Sequence, residues 1–367
     1  MNKKPRILFI ATFPPPVHGS AVVSQQIKES KLINEAFDCD YVNIATSRGL
    51  DEKKNYFVKL GLFLGSFSKT FWLLLTHHYD LCYCAITCHG GCFLRDAPYV
   101  LLCKLFRRKV VIHQHNKGMS RDVDRPVFRR LYPLVYNNVK VILLSWYLYP
   151  DIEKVVKREN VMICPNGIKP TADPDFVHTP NKVPHILFLS NLLIDKGVLV
   201  LLDALKILKD KGCSFICDFV GSETREISAQ RFTEEVDSRG LNQIAVYHGR
   251  KYGNDKAEFF EKADVFTLPS LNEAFPLVNL EAMDYKLPVV STNVGGIEDE
   301  VLDGENGFVV KTNDGEALAE AMCKLLDDSS LRQKMGEEGY KNFVSKFTEE
   351  RFEKTMIDCL KQCIVSK

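Results

Sequence analysis

Short apolar runs bounded by turn residues recur along the chain, and between them apolar positions return at helical spacing. The first run, Ile7–Ala11, ends at three prolines, Pro14 to Pro16, and helical spacing follows over Ala21–Lys31. Next come Leu81–Ile86 as a strand, His89-Gly90-Gly91 as a loop, Phe93–Arg108 as a helix and Val110–His113 as a strand. Val139–Leu144 and Val161–Ile168 continue the series. Continuous apolar runs of this kind suit strands buried on both faces, and their alternation with helices predicts parallel β-α-β units. The pattern then begins again with Ile186–Ser190, Phe215–Val220, Val246–Gly249, Val265–Leu268 and Val289-Val290. At 367 residues the chain exceeds one comfortable core, so two α/β domains are expected. The segment 169–183, KPTADPDFVHTPNKV, is proline-rich and polar and is read as the linker. Domains are therefore placed at 1–175 and 176–347, with a last helix from Thr348 to about Ile364.

One stretch stands apart from this rhythm. Phe57–Leu75 is the most apolar helical segment, but Lys59 and Lys69 interrupt it and it barely reaches spanning length, so it is not expected to cross a membrane. It fits an interfacial helix with Phe63, Phe67, Phe71 and Trp72 towards lipid, and equally a core helix of the first domain. Charge sharpens the choice. The net charge is only +1, yet residues 1–175 hold 25 basic and 15 acidic residues while the remainder holds 23 and 32. A basic first half suits an anionic membrane surface or a lipid-diphosphate acceptor. Basic residues cluster between Arg107 and Arg130, either as a solvated helix face or as a membrane-facing patch. No nucleic-acid module accompanies them, so nucleic acid is not an expected partner. Twelve cysteines without any C-x-x-C pair read as reduced thiols of a cytosolic protein, and the short N-terminal apolar run lacks the cleavage site of a signal peptide.

Candidate chemistry concentrates in Pro269–Gly296, PSLNEAFPLVNLEAMDYKLPVVSTNVGG. A strand breaks at Pro269, a polar loop carries Glu273, and a helix then carries Leu277, Leu280, Glu281 and Met283. Free backbone N–H groups at that helix start, near Phe275–Val278, would attract a diphosphate. Carboxylates accept paired hydrogen bonds from neighbouring sugar hydroxyls, which suits Glu281 to a ribose and Glu273 to a hexose. The two glycines ending NVGG let backbone approach closely. In the first half, His113 and His115 fall at a strand's carboxyl end, where doubly wound folds keep their sites. A zinc site is not expected from H-x-H without a third ligand, and Asp38–Asp40 is not read as a metal-binding D-x-D.

With E-x7-E at Glu273 and Glu281 and GGIEDEVLDGENGFVV downstream, nearly the whole chain resembles the retaining, nucleotide-sugar-dependent glycosyltransferases of GT-B architecture, family 4, of the kind that serve bacterial polysaccharide synthesis. That resemblance implies two Rossmann-like domains with parallel sheets facing a central cleft, and a C-terminal helix, 348–367, crossing back to the first domain. It implies transfer of a sugar from a nucleotide diphosphate sugar to an acceptor hydroxyl with retention and without metal or other cofactor. The family's G-R-x4-K-G appears here as Ser190-Asn191 followed by Lys196-Gly197, so Lys196 would meet the donor pyrophosphate while Asn191 replaces an arginine fork. Arg250 and Lys251 would flank the base, and Phe275, Pro276, Leu277, Val278 and Glu281 would hold the nucleotide. Glu273 and His115, followed by Asn116 and Gly118, would contact the transferred sugar. Gly19 and Ser20 would form the acceptor or phosphate loop, with Ser20 in place of a second glycine. The implied acceptor is a lipid-linked or oligosaccharide chain at the inner face of the plasma membrane, in the cytoplasm. Two rivals share the architecture: a nucleotide-sugar epimerase, and a non-catalytic binding subunit of a polysaccharide assembly complex.

Overall fold

A computed structural model describes residues 4–15, 18–46, 56–173 and 175–365. The chain forms two compact units, residues 1–166 with 350–367, and residues 167–349. The division falls at 166/167, ahead of the proline-rich segment. The turn Asn166-Gly167 marks it in the sequence.

The first unit is built on strands β1 (Arg6–Ala11), β2 (Asp38–Asn43), β3 (Leu81–Cys84), β4 (Val110–Gln114), β5 (Lys140–Leu143) and β6 (Val161–Ile163). They pair in the order β2-β1-β3-β4-β5-β6, every pair parallel. Ile7, Leu8, Phe9 and Ile10 are all buried because helices cover both faces, which is why β1 reads as an unbroken apolar run. β2 has no such run. It lies at the sheet edge with only Val42 buried, and Asp38 and Asp40 pair with Arg6 across the sheet. The D-x-D carboxylates are thus engaged in a structural ion pair, with Tyr79 Oη also donating to Asp40.

The second unit carries β7 (His185–Leu189), β8 (Ile216–Val220), β9 (Ala245–Tyr247), β10 (Val265–Leu268), β11 (Val289–Thr292) and β12 (Gly307–Val310). Their order is β12-β11-β10-β7-β8-β9, again all parallel. Connections from β7 run outward to β8 and β9, whereas the next crossover returns to β10 on the other side of β7. The crevice above β7 and β10 is therefore the switch point, where α/β sheets bind ligands.

Two of the first unit's helices answer to the sequence readings. The last, Glu349–Val365, joins that unit from Glu350 onward; Cys164 Sγ lies 3.9 Å from the Phe352 carbonyl and Lys109 Nζ donates to the Ile364 carbonyl at 2.6 Å. Tyr56–Thr76 is a surface helix and not the core helix that its apolarity also allowed, since only Thr70 and Leu74 on it are buried. Phe63 and Phe67 face inward against Tyr99, so they are not lipid-facing. It is the one helix among the described residues long and apolar enough to cross a membrane.

Candidate active site

The loops after β7 and β10 meet at the switch point of the second unit. The Leu271 amide donates to the Asp195 carbonyl at 2.8 Å, tying them together. Their approach depends on Gly197, which has φ +77° and whose missing Cβ would lie 2.0 Å from the Pro269 carbonyl oxygen. No L side chain fits there. Lys196 is delivered beside Glu273, and its ammonium donates to Glu273 Oε1. Both side chains are mostly buried, at 24% and 13% exposure, so the pair is fixed in a partly desolvated place.

Glu273 is held from behind as well. Gly295 has φ +58°, and a Cβ there would lie 2.3 Å from the Glu273 carbonyl oxygen. The Gly296 amide donates to the Ala274 carbonyl at 2.7 Å. Gly295 therefore admits the backbone of the Glu273 loop, and the Gly296 amide ties that loop in place. Ser270 Oγ lies 3.4 Å from Glu273 Oε1.

The helix Leu277–Asp284 starts directly after this loop, with Pro276 as its N-cap residue and no side-chain cap. Phe275 is buried against Phe347, ring centroids 5.7 Å apart, and Pro276 has no N–H to offer. The first-turn amides of Leu277 and Val278 are the donors that this terminus can present to an anion. On the same helix, Glu281 Oε1 accepts from Lys256 Nζ at 2.8 Å, while Glu281 Oε2 is buried with no partner. Asn272 Oδ1, in the Glu273 loop, is likewise buried and unpartnered. Buried acceptors without donors are uncommon, and these two border the same loop and helix. Behind them Asn279 Nδ2 donates to Glu300 Oε2 at 2.7 Å. Burial pushes the Glu300 carboxyl well above its ordinary range, and the bond from Asn279 opposes that shift.

Two sequence candidates sit differently. Asn191 is exposed, and its Oδ1 accepts from the Ser222 amide at 3.2 Å, so its carbonyl holds the loop after β8 and only its amide nitrogen remains to donate outward. Arg250, after β9, is exposed with its guanidinium 4.4 Å above the Tyr252 ring. Neither is brought to the Lys196–Glu273 pair by any bond among the described residues.

The first unit has a separate polar cavity of about 170 Å³ at the carboxyl ends of its strands, lined by Thr12, His18, Ser20, Thr87, Arg95, His115 and Asn116 among others. Gly19 and Ser20 open the helix Gly19–Glu29; His18 caps it, accepting from the Ala21 amide at 3.3 Å and lying 3.0 Å from Ser20 Oγ. Pro16 lies outside the described residues. Both ring nitrogens of His115 are buried without partners. Burial first, and then His18, lowers His115 to about 3, so its imidazole is neutral. His113 is fully buried and its Nδ1 lies 2.6 Å from Tyr83 Oη, a structural role. Arg95 supplies a cation, fixed by Asp96 at 2.6 Å and by Thr46 Oγ1 at 3.2 Å. His18, Arg95, Lys256 and Asn272 have no signature in the sequence, because none sits in a spaced motif.

Residues 171–342 match the profile of the family described as glycosyl transferases group 1. A capsular polysaccharide biosynthesis glycosyltransferase, CapM of Staphylococcus aureus, is 32% identical over 163 residues, which are 44% of this chain and 42% of CapM. The chain thus spans less than half the length of that curated relative. Among solved structures, sucrose-phosphate synthase from Thermosynechococcus elongatus matches with a TM-score of 0.78 at 19% identity, covering 99% of this chain and 100% of that one. HepE of Anabaena, in complex with UDP and glucose, matches at 0.71 and 18% identity, covering 97% and 99%. At such identities the likeness shows the fold, two Rossmann-like domains of GT-B type. Residues 171–342, the part similar to the glycosyl transferases group 1 family, carry Lys196, Glu273 and Glu281.

Proposed function

We propose that the chain is a glycosyltransferase that moves a sugar from a nucleotide diphosphate sugar to an acceptor hydroxyl, with retention of anomeric configuration and without a metal ion. The observation that carries this reading is the set of unmatched acceptors, Glu281 Oε2 and Asn272 Oδ1, beside a helix N-terminus and the Lys196 ammonium. Acceptors in search of hydroxyl donors next to cationic and amide donors suit a ligand that is part sugar and part diphosphate.

Each residue then has a task. Glu281 accepts from ribose hydroxyls, and Glu273 from hydroxyls of the transferred sugar. Lys196 and the amides of Leu277 and Val278 stabilise the charge that grows on the departing diphosphate, the largest electrostatic demand of the reaction. Because Lys196 is paired with Glu273, a diphosphate shares the lysine with the carboxylate. His115, neutral and with both nitrogens available, can donate or accept hydrogen bonds in the cavity of its own unit and does not act there as a cation. Without an evident covalent nucleophile, attack on the same face as the leaving phosphate accounts for retention.

The acceptor proposed is a lipid-linked or oligosaccharide chain in surface polysaccharide synthesis, met at the inner face of an anionic membrane. CapM is a capsular polysaccharide glycosyltransferase by description, and the first half of this chain is strongly basic. Calorimetric titration with UDP, GDP and ADP in EDTA tests the donor half. One nucleotide is expected to bind with Lys196→Ala weakening it at least tenfold, and binding that requires a divalent cation would overturn the metal-free reading.

A further inference from the structure

The helix Tyr56–Thr76 has an inward side and an outward side of different chemistry. Inward, Phe63 and Phe67 meet Tyr99, and Ser66 Oγ lies 2.6 Å from Tyr99 Oη. A helix fastened along one side to its own domain lies on that domain and does not span a bilayer. Outward, Phe71, Trp72 and Leu75 are 43%, 63% and 57% exposed, and Leu105, ending the neighbouring helix, is 76% exposed. The ring of Phe71 packs on Phe106 at 5.6 Å, and Arg108 Nη1 lies 3.1 Å from His78 Nδ1, so the turn after Leu105 abuts the end of this helix.

That turn opens onto a groove of about 1020 Å³ lined by Lys104, Arg107, Arg108, Lys109 and Lys140, with no acidic side chain among the described residues that line it. An apolar aromatic rim beside a groove charged only by cations matches one surface closely: acyl chains at the level of the rim and phosphate headgroups at the level of the groove. A soluble protein partner would have to supply an apolar ridge and an acidic lobe in the same register.

We infer that Phe71, Trp72, Leu75 and Leu105, with the Lys104–Lys140 groove beside them, dock the first unit onto an anionic bilayer surface. Its use rests on the transferase reading, since docking brings the protein to a lipid-borne acceptor, but its physical basis does not.

Trp72 and Trp146 are the two tryptophans, so Trp146→Phe leaves Trp72 as sole reporter in the full chain. With vesicles of phosphatidylcholine and phosphatidylglycerol, Trp72 emission is expected to shift to the blue and to be quenched by brominated lipid. Pure phosphatidylcholine and high salt should both weaken binding. Phe71→Ser with Trp72→Ser should lower vesicle binding at least about tenfold, and Arg107→Glu about fivefold or more. Unmoved Trp72 emission at low salt overturns the proposal, as does a dimer that Trp72→Ser dissociates while vesicles bind nothing. Donor turnover with a soluble acceptor, run in parallel, separates the two claims: turnover without vesicle binding removes the docking face and leaves the transferase, and vesicle binding without turnover does the reverse.

Discussion

Glu281 has one carboxylate oxygen bonded to Lys256 and the other buried without a donor. If ribose hydroxyls fill that gap, Glu281→Ala removes charge-assisted hydrogen bonds worth about 1.5–3 kcal/mol, or roughly ten- to hundredfold in nucleotide affinity. Calorimetry with the preferred nucleotide checks this, and an unchanged Kd would free Glu281 from the ribose. Glu281 and Glu273 are legible in the sequence through their spacing, whereas Lys256 reaches Glu281 from a separate helix and Asn272, next to Glu273, belongs to no spaced pattern. Asn191 shows the converse. Its position matches a motif, but its carbonyl is spent on the Ser222 amide. Histidines add a pH dependence at the same scale. Burial holds His115 near 3 and His113 well below the ordinary 6.5. The unfolded chain therefore takes up protons near pH 6.5 that the folded first unit refuses, so stability is full above that pH and is lost as pH falls towards 3. The slope is about 1.4 kcal/mol per pH unit per histidine. Urea midpoints at pH 7 and pH 5 should drop more for the wild type than for His115→Asn.

Strands of the two sheets are legible because those buried on both faces must be apolar throughout, as β1 is. β2 carries no such signal, since an edge strand buries little and its carboxylates turn to Arg6. The apolar helix Tyr56–Thr76 is visible as an element, but apolarity alone does not say which side meets the domain. Tyr99, from another helix, decides that. At this scale the crossing of the loops after β7 and β10 holds the candidate site together. Gly197→Ala forces a Cβ to within 2.0 Å of the Pro269 carbonyl at positive φ. A loss of about 1–3 kcal/mol in stability is expected from urea unfolding, together with weaker nucleotide binding as Lys196 is displaced. Unaltered stability and binding would mean that the two loops do not need this contact.

Across the whole molecule, two Rossmann-like units divide the labour by charge and by site. The acidic half carries the Lys196–Glu273 pair and the unmatched acceptors; the basic half carries the His115 cavity and the apolar, cationic face. The central claim is metal-independent sugar transfer dependent on Glu273. It is tested most directly by turnover of UDP-, GDP- and ADP-sugars in EDTA, with lipid-linked and soluble acceptors, for the wild type and Glu273→Ala. One donor is expected to turn over in EDTA, with the variant slower by about a hundredfold and still binding the nucleotide. Nucleotide binding without turnover of any donor, or turnover abolished by EDTA and restored by a divalent cation, would contradict it.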